Sequence, residues 1–265
     1  MPEGDTVFLT GQRLTEALAG KILTRGEIRH PQLSTVELAG RTVRGVRTVG
    51  KHLFVRFDDE RSLHNHLKMD GAWHLYPPGG RWRQPAHNAR VVLTTADRQA
   101  IGFRLHDLAL LPTDAESDLV GHLGPDLLGP GWDEDQAAEA ARRLAAQPDQ
   151  EIGLALLDQR NLAGVGNLYK AEVCFLLGVS PWSPVSGVDA GKAVALSRKL
   201  LLRNAWRPEQ STTGETARGR QHFVYQRHGN ACLRCGTKIE VARQGSDVRQ
   251  RGTWFCPSCQ PGPHP

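Results

Sequence analysis

The sequence predicts an α+β multidomain chain: an N-terminal β-sandwich led by one helix, then a helical domain, then a small metal-braced ribbon. Three observations predict it. Residues 22–111 run as short alternating segments broken by turn clusters. After Gly129-Pro130-Gly131 the apolar residues recur with helical period. Near the end, four of the five cysteines stand in two Cys-x-x-Cys pairs.

In the first 20 residues, Val7, Leu14 and Leu18, with Phe8 and Leu9, form an apolar stripe that ends at Gly20, which reads as a helix. Residues 42–49 and 52–57 alternate as strands do, with Asp58-Asp59 as the turn that follows. Residues 90–95 and 99–105, split by Ala96-Asp97-Arg98, read as a hairpin. Many short strands at even spacing fit a sandwich. Beyond them, residues 133–146, 152–162, 168–177 and 189–204 read as helices. The expected boundaries are 1–115 for the β-sandwich, 120–222 for the helical domain and 223–265 for the ribbon.

The chain has 265 residues and a formal charge of +5. From Arg198 onward there are twelve Lys/Arg against four Asp/Glu, so the C-terminal third is the basic part and the better candidate for a polyanion. Residues 114–151 are acidic and are expected to face solvent away from such a partner. The start lacks the basic and apolar runs of an export signal, and no apolar stretch approaches the roughly 20 residues that span a bilayer. A cytoplasmic protein with reduced thiols and no membrane partner is expected.

Cys232-Leu-Arg-Cys235 and Cys256-Pro-Ser-Cys259 are separated by twenty residues. That spacing suits two knuckles closing one tetrahedral zinc site, with all four positions filled by thiolates. The zinc is then structural, because no position remains for a reacting water. Cys174 lies apart, in an apolar helical segment, and reads as a packed thiol. The segment between the pairs reads as a two-stranded ribbon with basic residues at its tip.

The run from Leu154 to Glu172 reads as a helix ending near Asn161, a tight turn at Gly164 and Gly166, and a second helix capped by Asn167. Exposed N–H groups at a helix start suit an anion. His64 and His66 share one face of a strand and read as structural histidines, or as half of a metal site. Arg104 either reaches a partner or pairs with Asp107.

The chain opens Met1-Pro2-Glu3-Gly4-Asp5. Removal of Met1 leaves Pro2 as a secondary amine, a nucleophile able to form an iminium at a sugar carbon, with Glu3 beside it for proton transfer.

This opening, the turn Gly50-Lys51-His52-Leu53, the motif Ala163-Gly-Val-Gly-Asn167 and the four-cysteine ribbon occur in one order. Together they resemble the formamidopyrimidine-DNA glycosylase/endonuclease VIII family, closer to endonuclease VIII. The resemblance spans Pro2 to Cys259. It implies a β-sandwich, a helix–two-turn–helix domain and a zinc ribbon, with DNA held between the two halves. It implies excision of oxidised bases through a Schiff base on Pro2, assisted by Glu3, then strand cleavage by β,δ-elimination. Lys51, Asn167 and Arg251 match the family's phosphate contacts. Met69, in His66-Leu-Lys-Met69-Asp-Gly71, matches the residue that fills the space left by a flipped nucleotide. The Lys68-Met69-Asp70 run departs from the usual endonuclease VIII pattern, which leaves the preferred lesion open. The expected partner is damaged DNA, bound by a monomer associated with the nucleoid. A non-catalytic zinc-ribbon protein that binds damaged or abasic DNA would need the cysteines and Asn167 but neither Pro2 nor Glu3.

Overall fold

A fifteen-residue helix, α1 (Gly4–Leu18), opens the computed structural model, which describes residues 2–246 and 250–265. Val7, Leu14 and Leu18 fall on one stripe and are at most 1% exposed. They join Leu53, Val55 and Leu63 in the buried cluster of the first unit. Gly11 sits in that stripe. A Cβ there would lie 2.5 Å from Thr48 Cγ2, so a side chain at position 11 makes either the Thr48 methyl or the helix shift.

Two antiparallel four-stranded sheets form the sandwich. One runs β1 (Arg25–Ile28), β6 (Ala89–Thr94), β7 (Gln99–Phe103), β5 (Ala72–Tyr76), and the other β2 (Val43–Val49), β3 (His52–Phe57), β4 (Arg61–His66), β8 (Asp107–Pro112). Strand β6 reads as a continuous apolar run because both its faces are covered. Val91 and Leu93 point into the main cluster, whereas Val92 packs with Ile101, Phe103 and Trp82 on the other side. A short helix, α2 (Glu116–Val120), follows. Glu116 departs from the expectation that the acidic stretch faces solvent: it is 1% exposed and accepts from Arg47, Arg56 and Ser62.

The chain divides into two units, Met1–His122 and Leu123–Pro265. The second holds α3 (Glu134–Ala145), α4 (Ile152–Leu157), α5 (Asn167–Leu177) and α6 (Ala190–Asn204), then β9 (Glu240–Gln244) paired antiparallel with β10 (Arg251–Phe255). Asp133 and Asp189 cap α3 and α6, accepting from Gln136 N–H (2.8 Å) and Lys192 N–H (2.9 Å). Helix α4 stops at Leu157, short of the expected end near Asn161. Side-chain amides take over its last carbonyls: Gln159 donates to Leu157 O (2.8 Å) and Asn161 to Ala155 O (2.9 Å). The ribbon shares its core with the helices, since Cys232, Ile239 and Cys256 lie in one buried cluster with Tyr169 and Phe175. Cys174 is fully buried there, and burial pushes its thiol up to about 12, so it is an inert packed group. Among the described residues no helix is long and apolar enough to cross a membrane.

Candidate active site and nucleic-acid interface

Pro2 borders a cavity of about 620 Å³ in the first unit, together with Thr6, Thr10, Trp73, His74 and Tyr76. Glu3 is the N-cap residue of α1 and is 1% exposed; its carbonyl accepts from Val7 N–H (3.0 Å). The site's hydroxyl and ring groups are held in place. Tyr76 OH accepts from Arg83 N–H (3.0 Å) and lies 3.1 Å from His74 Nδ1, and Trp73 Nε1 donates to Asn65 (3.1 Å). Burial holds the His74 imidazole below its ordinary pKa. The cavity offers an aromatic and polar lining to a planar heterocycle beside a candidate nucleophile. Sequence reading missed these lining residues, because α1 and β5 gave no motif for them. Met1, whose removal frees the Pro2 amine, lies outside the described residues.

Lys51 occupies the two-residue turn joining β2 and β3, with Val49 paired to His52. Three histidines lie under that turn. His52 stacks on His64, and His66 meets His52 edge-on. Burial is the main cause that brings His52 down to about 3 and His66 to about 4, and it lowers His64 as well. The cluster is therefore neutral near pH 7. Among the described residues the group of three or more side chains that could hold a metal is the cysteine one.

The expected wedge residue, Met69, is 66% exposed at the tip of the β4–β5 loop. Lys68 has a left-handed φ of 51°, and its N–H donates to His66 Nδ1 (2.9 Å); Gly71 N–H closes the loop on Leu67 O (2.9 Å). Arg104 does not pair with Asp107. It stands 3.9 Å from the Asp70 carboxylate, while Asp107 pairs with Lys68 at 3.0 Å.

In the second unit, the loop between α4 and α5 is stapled by Gln159, whose amide donates to Val165 O (2.8 Å) and accepts from Gly164 N–H (3.1 Å). Gly164 adopts φ +106°, which a side chain would resist. The N-cap of α5 is Gly166, not Asn167 as expected; Asn167 is the first helical residue. Its side chain turns toward the ribbon instead, donating to Gly252 O (2.9 Å), with Oδ1 buried and unpartnered. Gly252 follows Arg251, so the two expected phosphate contacts lie on touching segments. Arg251 is exposed at the start of β10. The ribbon tip at residues 247–249 lies outside the described residues. Glu172 is a further residue the sequence gave no sign of. It is fully buried and accepts from the N–H groups of Phe223, Val224 and Tyr225 and from Thr212 Oγ1.

The Sγ atoms of Cys232, Cys235, Cys256 and Cys259 all lie within 4.8 Å of one another, with Cys232–Cys259 at 3.9 Å and Cys235–Cys256 at 3.5 Å. A zinc tetrahedron with bonds of about 2.3 Å needs sulfurs about 3.8 Å apart, so the set fits one structural zinc ion. Each knuckle turns a backbone N–H toward its first sulfur, Arg234 N–H to Cys232 and Cys259 N–H to Cys256, both at 3.4 Å, which supports the thiolate form.

Residues 1–108 match the formamidopyrimidine-DNA glycosylase N-terminal domain, 123–216 its H2TH domain, and 229–262 the zinc finger found in FPG and IleRS. The chain is 52% identical over 269 residues to "Probable endonuclease 8 2" of Streptomyces coelicolor, covering 100% of this chain and 96% of that one. The chain belongs to the formamidopyrimidine-DNA glycosylase/endonuclease VIII family. Another relative is "DNA-(apurinic or apyrimidinic site) lyase Nei2" of Mycolicibacterium smegmatis, 47% identical over 98% of this chain and 99% of that one. "Endonuclease 8" of Escherichia coli is 30% identical over 98% and 100%. Within this family the fold also matches Lactococcus lactis Fpg, solved with an abasic-site-containing DNA, at a TM-score of 0.81 and 23% identity, covering 98% of this chain and 100% of that one.

Proposed function

We propose that this chain is a bifunctional DNA glycosylase and abasic-site lyase of base excision repair. The observation that carries the reading is Pro2 on the border of a cavity lined by Trp73, His74 and Tyr76. A non-catalytic DNA-binding ribbon protein has no use for that arrangement. With Met1 removed, the Pro2 nitrogen attacks the deoxyribose C1′ as the glycosidic bond to the damaged base breaks. Glu3 supplies the proton transfer that opens the sugar ring and yields the iminium. Loss of a C2′ proton then expels the 3′ phosphate, and a second elimination expels the 5′ phosphate. Lys51, Asn167 and Arg251 hold backbone phosphates, and Met69 fills the space left by the flipped nucleotide. Labour is divided among residues 1–115 for chemistry, 120–222 for DNA binding through the helix–two-turn–helix, and 223–265 for the zinc ribbon. The enzyme acts as a monomer on damaged DNA in the cytoplasm, at the nucleoid.

Borohydride trapping tests the reading. Incubation with abasic-site DNA and reductant yields a covalent adduct, and peptide mapping places it on Pro2. Attachment at Lys51 or another lysine overturns the mechanism. A protein that keeps Met1, or carries an N-terminal tag, has an amide at Pro2 and traps nothing while still binding DNA.

A further inference from the structure

Lys170 lies on α5 one turn beyond Asn167 and is 0% exposed. Burying an ammonium is unfavourable unless oxygens receive its hydrogens. Its Nζ donates to Thr253 Oγ1 and to Gln244 Oε1 (3.2 Å). One acceptor lies on β10 and the other on β9, so the ammonium is bonded to both strands of the ribbon at once. Both acceptors are themselves fixed. Thr253 Oγ1 donates to Gln244 Oε1 (3.2 Å), and Gln244 Nε2 donates to Glu151 Oε2 (2.9 Å) and Pro181 O (2.8 Å). Gln244 is pressed against α4 as well, for a Cβ at Gly153 would lie 2.5 Å from its Oε1. Thr253 is 0% exposed and Gln244 2%.

An apolar side chain at position 170 would also pack against the ribbon, but many offsets of β10 along α5 satisfy an apolar contact. An ammonium needs oxygens in set directions, and a slip of one residue turns Thr253 away, because successive strand side chains face opposite sides. We infer that Lys170 is a positioning residue that fixes the register of β10 against the start of α5, and so sets Arg251 beside Asn167. The bond from Asn167 Nδ2 to Gly252 O is the local readout of that register. The functional part rests on the phosphate roles proposed for Asn167 and Arg251. The register itself does not.

The test compares Lys170→Met, which keeps the length of the chain and removes the ammonium, with Lys170→Arg, which keeps a charge. In the zinc-loaded free protein, Lys170→Met shifts the Asn167 side-chain amide resonances and speeds hydrogen exchange at Gly252 and Thr253 by about tenfold. On DNA bearing an abasic-site analogue it weakens binding by about tenfold and lowers the salt slope by about one. Single-turnover cleavage at saturating DNA changes by less than about threefold. Lys170→Arg recovers most of the amide signature. Unchanged Asn167 resonances and exchange in Lys170→Met overturn the inference. A changed amide signature with unchanged affinity keeps the register role and overturns the phosphate roles of Asn167 and Arg251. Should Lys170→Met fail to fold or lose zinc, Thr253→Val removes one acceptor alone. The same amide shift is expected there, and its absence overturns the inference.

Discussion

His52 Nδ1 lies 2.9 Å from His64 Nε2, with the two imidazoles stacked, so one ring must donate and the other accept. Protonating both rings removes the acceptor. Burial holds His52 at about 3 and His66 at about 4, below their ordinary value of 6.5. The unfolded chain therefore takes up protons first as pH falls. The stability this neutrality gives is fully present above about 6.5 and is lost as pH falls from there toward 4 and 3. Lys51, Lys68, Asp107, Glu116 and His122 face the cluster and modulate it. Unfolding free energies measured in urea from pH 7.5 to 4.5 should decline steadily for the native protein. His52→Phe should show a shallower decline, and equal slopes would contradict the assignment.

Glu172 receives three backbone N–H groups and a hydroxyl in the interior of the second unit. Replacing it by Gln places an NH₂ against those donors. Glu172→Gln should cost about 2–4 kcal/mol, read by denaturant midpoint. A loss under about 0.5 kcal/mol would show that the segment 223–225 is held by other contacts.

Zinc removal, or Cys256→Ser, should abolish DNA binding while leaving the first unit folded. The ribbon's buried Cys232, Ile239 and Cys256 share a cluster with α5, so the second unit should loosen as well. Calorimetry of the chelated protein should retain one transition, and full DNA affinity without zinc would defeat the expectation.

Arg251→Ala should weaken binding to damaged and undamaged DNA alike and lower the salt slope by about one, since a phosphate contact carries no sequence information. Asn167→Ala should weaken both too, and should also free Gly252 O. An unchanged slope for Arg251→Ala would remove it from the phosphate contacts.

Glu3→Gln should lose base excision while retaining part of the cleavage of preformed abasic sites, where the aldehyde is already available to Pro2. Comparing a lesion-bearing oligonucleotide with an abasic one separates the two steps. Equal losses on both would assign Glu3 to the elimination steps as well.

The parts legible in the sequence were those whose signal is local. The cysteine knuckles fix their own spacing, and alternation in 42–49 and 52–57 names strands because a strand's period is 2. The sandwich, helical and ribbon parts followed from such stretches, and Pro2, Glu3 and Asn167 were candidates on their local text, whereas Lys51 and Arg251 were named only through the family resemblance. Groups whose role depends on residues distant in the chain stayed hidden. Glu116 meets Arg47 and Arg56 only after β2 and β3 are laid side by side. Gln159, Lys170 and Glu172 are polar residues in helical or loop text, where solvent exposure is the ordinary expectation. The cap of α5 was misplaced by one residue because Asn167 is a good capping type, yet its amide is taken by Gly252.

Gly11 has a bearing on evolvability. The residue stands seven positions into the helix from Gly4, about 10 Å along the axis, and touches no part of the cavity that Pro2 borders. A methyl group at position 11 displaces either the Thr48 side chain or the helix, and a rigid helix that shifts carries with it the far end, where Glu3 and Pro2 are attached. A survey of tolerated substitutions would then mark position 11 as less tolerant than its distance from the cavity suggests. Losses there would come through displacement, with every reacting group still intact.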